Sequence, residues 1–136
     1  SVGSDPLRAR ICLPWINGID MNSLFILNDP PYGTERSYNA LRLARSLLDQ
    51  KSSDVRVFLM GDAAACAHGG QKVPQGYYNI GDMLGAVLRR GGDVGVCGTC
   101  MDARGITAEL LIEGANRSTM AQLTEWTAAA DKVLVF

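Results

Sequence analysis

Two cysteines three residues apart, Cys97 and Cys100, lie in the stretch VGVCGTCMDARGI, residues 94–106. They follow a short apolar run and precede a charged turn that contains glycine. A pair with this spacing can bind a metal, form a reversible disulfide or carry sulfur as a persulfide. The spacing alone does not choose among these reactions, so the surroundings of each thiol decide the prediction.

Cys97 comes where the apolar residues 94–96 predict the end of a buried strand. Functional groups in open α/β sheets gather outside the carboxyl ends of parallel strands, but a cysteine at this position can equally be a buried thiol that only packs. The second cysteine three residues later favours the reactive thiol. The dipole of a nearby helix would favour the thiolate, and Arg104 would add positive charge. We expect a secondary role for Cys100, and we expect Asp102 to fix the turn or to pair with Arg104.

Cys66 and His68 are a second pair of metal-ligand residues. Together with Cys97 and Cys100 they would supply three sulfurs and one imidazole, a set that suits tetrahedral zinc. However, the one-residue gap between Cys66 and His68 is tighter than usual ligand spacing, and Cys66 follows three alanines. We therefore expect no metal, a buried Cys66, and a His68 that faces solvent at a helix end.

Two loops that contain glycine are expected near the same edge of the sheet. The stretch NDPPYGTE lacks the glycine spacing and the lysine of nucleotide-binding loops, so it predicts a rigid turn. Tyr32 in this turn is a candidate wall of the cysteine pocket. In the second loop, GGQKVPQG, Lys72 is a candidate for attracting an anionic sulfur species, although a loop lysine is usually only solvated.

Strands and helices that would position these residues alternate along the chain. Apolar runs predict strands at residues 24–27, 55–60, 94–96 and 133–136, and helical spacing predicts helices over residues 34–49, 77–90 and 118–131. Asp62 is expected to cap a short alanine-rich helix, and Ser118 to cap the last one. Residues 106–114 are ambiguous between helix and strand. This alternation predicts an α/β fold with a mainly parallel sheet covered on both faces.

Length and charge restrict the class of protein. The 136 residues are enough for one domain, and a net charge of −1 gives no electrostatic support for binding nucleic acid or an anionic membrane. No apolar run approaches the roughly 18 residues of a membrane span. Four cysteines without a secretory signal predict a reducing compartment, by default the cytoplasm. We interpret residues 1–20 as a non-native leader or extension and residues 21–136 as a single domain.

After Met21 the sequence resembles the DsrE/DsrF-like family, and within it the YchN-like proteins. The stretches that carry the resemblance occur in the family's order and are PYGTERSYNALRLA, FLMGDA, GQKVPQGYYNI, CGTCMDARGI and TEWTAAADKVLVF. The resemblance implies a three-layer α/β/α sandwich around a mainly parallel sheet of about five strands. It also implies a homo-oligomer, either a trimer or a hexamer.

The resemblance further implies a sulfur-carrier or sulfurtransferase-like protein. In the sulfur-relay members of the family, a cysteine before an arginine-glycine turn accepts sulfur as a persulfide, and this position corresponds to Cys97. Such a protein would exchange sulfur with donor and acceptor proteins and would need no cofactor. Two alternatives stay open: a dithiol redox protein that uses Cys97 and Cys100, and an oligomeric module that binds a small ligand or partner without catalysis.

Overall fold

The computed structural model describes residues 21–136, and the interpretation of residues 1–20 as a leader lies outside this range. The strands are β1 (Met21–Leu27), β2 (Ser53–Leu59), β3 (Asp93–Cys97), β4 (Ala115–Ser118) and β5 (Lys132–Val135). The α-helices are α1 (Arg36–Leu48), α2 (Ile80–Arg89), α3 (Gly98–Ala103) and α4 (Met120–Ala129), and 3₁₀ segments cover Gly61–Ala67 and Ala108–Leu110. None of the helices formed by residues 21–136 has the length and apolar character needed to cross a bilayer.

The five strands form one sheet in the order β4-β3-β2-β1-β5, and every neighbouring pair is parallel. The predicted mainly parallel sheet of about five strands is therefore confirmed. Its middle strands carry apolar side chains in succession because both faces of a parallel sheet are covered. The chain steps outward from β1 to β4 and then returns across the sheet to place β5 on the other side of β1.

The alternation of side chains in β2 shows how the two faces are covered. Val55, Val57 and Leu59 belong to a large buried cluster that also contains the inner residues of α1 and α2. Phe58 points to the opposite face and packs in a smaller cluster with Leu123 of α4. The right-handedness of crossover connections explains why α4 covers the other face. The connections through α1 and α2 move along the sheet from β1 toward β3, whereas the connection through α4 moves back from β4 to β5, so a crossover of the same hand places its helix on the opposite face. The predicted three-layer α/β/α sandwich is confirmed.

The smaller cluster determines how the end of β3 packs. The rings of Phe58 and Trp126 meet edge to face with centroids 6.1 Å apart, and the Arg56 guanidinium lies 5.4 Å from the Trp126 ring. Gly95 in β3 makes room for the two rings, since a Cβ there would lie 3.2 Å from Phe58 and 3.3 Å from Trp126. Cys97 packs against this cluster, so the smaller face of the sheet supports the candidate thiol.

Several local elements differ from those predicted. Strand β4 was not predicted, because only Ala115 of its four residues is buried and the rest lack a strand pattern. Helix α3 forms where a turn was expected. Asp62 lies inside the first turn of the 3₁₀ segment instead of capping it. Helix α4 is capped by Thr119, not by Ser118, because the Thr119 side chain accepts a backbone N–H at 3.1 Å.

Candidate functional site

Cys97 is the last residue of β3 and occupies the N-cap position of α3, so the predicted place at a strand end is confirmed. Its side chain is half-buried and lines a cavity of about 240 Å³. Phe58 and Met120 give this cavity an apolar wall, while Thr99 and Arg117 give it polar groups. The thiol is therefore accessible to a small molecule without being fully solvated.

Local groups favour the ionised form of Cys97. Burial raises the pKa of its thiol, but the Cys100 side chain, the Thr99 side chain and the backbone N–H groups of both residues together lower the pKa below its ordinary value. The Thr99 hydroxyl lies 3.4 Å from the sulfur. The sulfur makes no full capping hydrogen bond to α3, yet the N–H groups of its first turn still stabilise the anion. Of the two thiols, Cys97 is thus the one whose surroundings favour the thiolate.

Cys100 lies in α3 and behaves in the opposite way. Burial raises the pKa of the Cys100 thiol, and its hydrogen bond to Cys97 and the negative charge on that sulfur raise it further, against weaker lowering by Gly61 and Arg104. The Cys100 thiol therefore loses its proton less readily than the Cys97 thiol. The secondary role of Cys100 stays a prediction.

Arg104 and Asp102 do not form the pair considered from sequence. Arg104 donates from Nε and Nη2 to Asp62 Oδ1 at 3.0 and 2.8 Å, and from Nη1 to the Cys100 carbonyl at 3.0 Å. Asp102 instead accepts two hydrogen bonds from Arg117, at 2.7 and 3.0 Å. Arg104 is thus held beside Cys100, and Arg117 is the arginine that lines the cavity with Cys97.

Arg117 and Thr99 were not predicted from the sequence as residues of the site. Arg117 is on β4, and without that strand nothing in the sequence placed residue 117 beside β3. Residues 94–97 pair in register with residues 115–118, which puts Arg117 opposite Val96. The one available signal was the glycine at position 114 before ANRS, which marks a turn into a short edge strand.

Cys66 is fully buried, as expected, and its environment makes it inert. Burial raises the pKa of the Cys66 thiol to about 12, and its sulfur lies 3.8 Å from the Asp29 carbonyl oxygen. His68 lies at the end of the 3₁₀ segment, as expected, but it is half-buried instead of fully exposed, and its Nδ1 lies 2.7 Å from the Gly69 carbonyl oxygen. Within residues 21–136 no three His, Cys, Asp or Glu side chains converge in a way that could hold a metal ion.

Tyr32 connects the two glycine-containing loops. Its hydroxyl donates to Gln71 Oε1 at 2.6 Å and accepts the Ile80 N–H at 3.1 Å. The Gln71 amide group in turn donates to the carbonyls of Cys66 and His68. Tyr32 thereby fixes the start of α2, and it does not contribute to the cavity that the described residues form around Cys97.

Lys72 is exposed in the loop before α2. Within residues 21–136, the cavity beside Cys97 is lined by other side chains, with Arg117 as its positive group. The structure therefore brings Cys97 and Cys100 together and holds Arg104 against Cys100. It leaves Tyr32 and Lys72 in the neighbouring loops.

The described residues thus form a small α/β sandwich protein with a half-buried thiol at the carboxyl end of an interior parallel strand, β3. Residues 21–136 match the model of the DsrE/DsrF-like family, and the chain belongs to that family. The family resemblance seen in the sequence is confirmed, as is the similarity to YchN.

Protein YchN of Escherichia coli is 44% identical to this chain over 114 residues, which are 83% of this chain and 97% of that protein. An uncharacterized protein of Methanopyrus kandleri is 35% identical over 119 residues, 88% of this chain and 96% of its own. The crystal structure of the E. coli YchN protein superimposes with a TM-score of 0.81 at 42% identity, covering 85% of this chain and 99% of that one.

A protein of unknown function from Methanobacterium thermoautotrophicum shares the fold at 15% identity. Its TM-score is 0.68, and the match covers 85% of this chain and 99% of that one. The fold is therefore retained where most side chains have changed.

Proposed function

We propose that this protein carries sulfur as a persulfide on Cys97. The main support is that Cys97 combines a lowered thiol pKa with a position on an accessible cavity. The family to which the chain belongs is associated with sulfur relay. Nucleophilic sulfur transfer needs an accessible thiolate, and it needs no metal or cofactor.

The proposed reaction has two balanced steps. The Cys97 thiolate attacks the outer sulfur of a donor persulfide, so that a new S–S bond forms on Cys97 while the donor's S–S bond breaks. The electron pair of the broken bond leaves with the donor as its thiolate. An acceptor thiolate then attacks the outer sulfur on Cys97 and carries it away, which regenerates the Cys97 thiolate. Donor and acceptor proteins are the expected partners of these steps.

The contact between Cys100 and Cys97 favours one alternative function. The Cys100 thiolate can attack the inner sulfur of the Cys97 persulfide, forming a Cys97–Cys100 disulfide and releasing hydrosulfide. In this case the protein would cycle between dithiol and disulfide instead of passing sulfur on. Because Cys100 has a raised thiol pKa, its attack requires deprotonation first, and we expect the persulfide to survive at neutral pH.

Intact-mass spectrometry after exposure of the reduced protein to sodium polysulfide tests this proposal. A gain of about 32 Da per chain, the mass of one sulfur atom, is expected. Cys97→Ser should abolish this gain, because serine offers no thiolate, while Cys100→Ser should keep it. A loss of about 2 Da in the wild type would instead support the disulfide cycle. An unchanged mass would contradict both and favour a binding module.

We also propose that the protein forms a homo-oligomer, a trimer or a hexamer. The resemblance to YchN-like proteins and the exposed apolar side chains Met120, Val133 and Val135 support this proposal. Such side chains on α4 and β5 gain free energy when another chain covers them. Light scattering at micromolar concentration should give the mass of three or six chains, and a stable monomer would contradict the proposal.

A further inference from the structure

Arg117 is the positively charged side chain of the cavity beside Cys97. Among the described residues that line this cavity, it alone carries a formal positive charge, and Asp102, its partner, lies outside the lining. The Arg117 side chain is 47% exposed, so part of the guanidinium remains available to a molecule in the cavity. A small anion that approaches the Cys97 sulfur would meet this charge.

The guanidinium is held in place from two directions. Asp102 Oδ1 accepts from Nη1 at 2.7 Å and Oδ2 accepts from Nη2 at 3.0 Å, the forked geometry that fixes an arginine most firmly. Nη1 also donates to the Gly98 carbonyl at 3.1 Å. Since Gly98 follows Cys97 directly, these hydrogen bonds fix the charge next to the reactive residue.

Gly98 permits this close approach. A Cβ at position 98 would lie 2.8 Å from Arg117 Cζ and 2.9 Å from its Nε and Nη2, closer than real Cβ contacts. The Arg117 guanidinium therefore packs directly against the backbone of Gly98. A residue with a side chain at position 98 would clash with the guanidinium, which explains the glycine in the CGTC sequence. Hydrogen bonding and charge from Asp102 raise the pKa of Arg117, and the Cys97 sulfur contributes in the same direction.

From this geometry we propose that Arg117 is a specificity-determining residue that makes the Cys97 cavity select small, negatively charged sulfur donors over neutral ones. The identity of the ligand as a sulfur donor rests on the proposed function, whereas the preference for anions follows from the charge beside the thiol. Thiosulfate is a simple member of this class of donor. The Cys97 thiolate would attack its outer sulfur, the S–S bond would break, and sulfite would leave with the electron pair.

Two alkylating agents that differ in charge can separate the preference of the cavity for anions from the intrinsic reactivity of the Cys97 thiol. Iodoacetate is anionic and iodoacetamide is neutral, and both transfer a similar group to the same thiolate with loss of iodide. The rates at Cys97 are measured by peptide mass spectrometry on the full protein at low salt. In Arg117→Gln, the ratio of the iodoacetate rate to the iodoacetamide rate should fall by about threefold to tenfold, as expected for one charge in a partly solvated site.

Two further variants complete this test: one should change the ratio of rates in the opposite direction, and the other is a control that should not change it. Asp102→Asn removes the compensating carboxylate while keeping a hydrogen-bond acceptor, so the same ratio should rise. Arg90→Gln should leave it unchanged, because Arg90 is in a comparable ion pair with Asp49 on a different part of the fold. An unchanged ratio in Arg117→Gln, or an equal fall in both rates, would overturn the proposal.

The result is independent of the sulfur-transfer experiment. If Arg117 controls the ratio but polysulfide adds no mass, anion selection stands and the persulfide function fails. If sulfur is added but the ratio does not respond to Arg117, the persulfide function stands and selection by Arg117 fails.

Discussion

At pH 7, iodoacetamide is expected to alkylate Cys97 in the folded protein about a thousandfold faster than Cys66. The thiolate is the reacting species, and a thiol whose pKa is about 12 is almost wholly protonated at this pH. Cys66 is also 0% exposed, whereas Cys97 lines a cavity and has a lowered thiol pKa. Time-resolved alkylation read by peptide mass spectrometry measures both rates in one sample.

The pH dependence of the alkylation rates tests the direction in which each thiol pKa is shifted. As the pH rises, Cys97 should gain reactivity first because its thiol pKa is lowered, and Cys100 should follow because its pKa is raised. In concentrated urea the difference between Cys97 and Cys66 should disappear, since both thiols then have ordinary surroundings. Comparable rates for the two residues in the folded protein would show that the fold does not activate Cys97.

Replacing Phe58 with alanine is expected to lower the free energy of unfolding by about 3–5 kcal/mol. Phe58 is 1% exposed and joins β2 to α4 through its edge-to-face contact with Trp126. The smaller cluster has few other buried members, so the cavity left by the ring would not be refilled easily. Urea unfolding, followed by tryptophan fluorescence at one protein concentration, measures the change.

Phe58→Leu is the matched variant, because it keeps an apolar side chain and should cost less than the alanine. Its loss of stability should be accompanied by little change in the rate of Cys97 alkylation, whereas Phe58→Ala opens one wall of the cavity beside that thiol. A loss below about 1 kcal/mol in Phe58→Ala would contradict the view that this cluster supports the smaller face of the sheet.

Elements with a long, regular pattern were predictable from the sequence. The stripe of Ala40, Leu41 and Ala44 is buried in α1 as its helical spacing predicted. The apolar run before Cys97 also predicted a strand end, which placed the main candidate residue correctly. The hydrophobic period predicts these elements correctly because several apolar residues at regular spacing all place the same face of the element toward the core.

The partners of Cys97 were less predictable because they depend on contacts between distant segments. Asp102 and Arg104 are neighbours in sequence, but residues two apart on a helix point in different directions. Arg104 therefore pairs with Asp62, and Asp102 pairs with Arg117. Strand β4, which presents Arg117, has too few residues and too little burial for its pattern to be recognised.

The position of β5 beside β1 has a consequence for synthesis on the ribosome. The Asn22 N–H donates to the Asp131 carboxylate across 109 residues, and the Phe136 N–H donates to the Ile26 carbonyl. Until β5 emerges, one edge of β1 has no partner within residues 21–136. At about 5–20 residues per second this interval lasts roughly 5–20 s. An open strand edge readily pairs with other chains, so the nascent protein is exposed to aggregation for these seconds before its sheet can close.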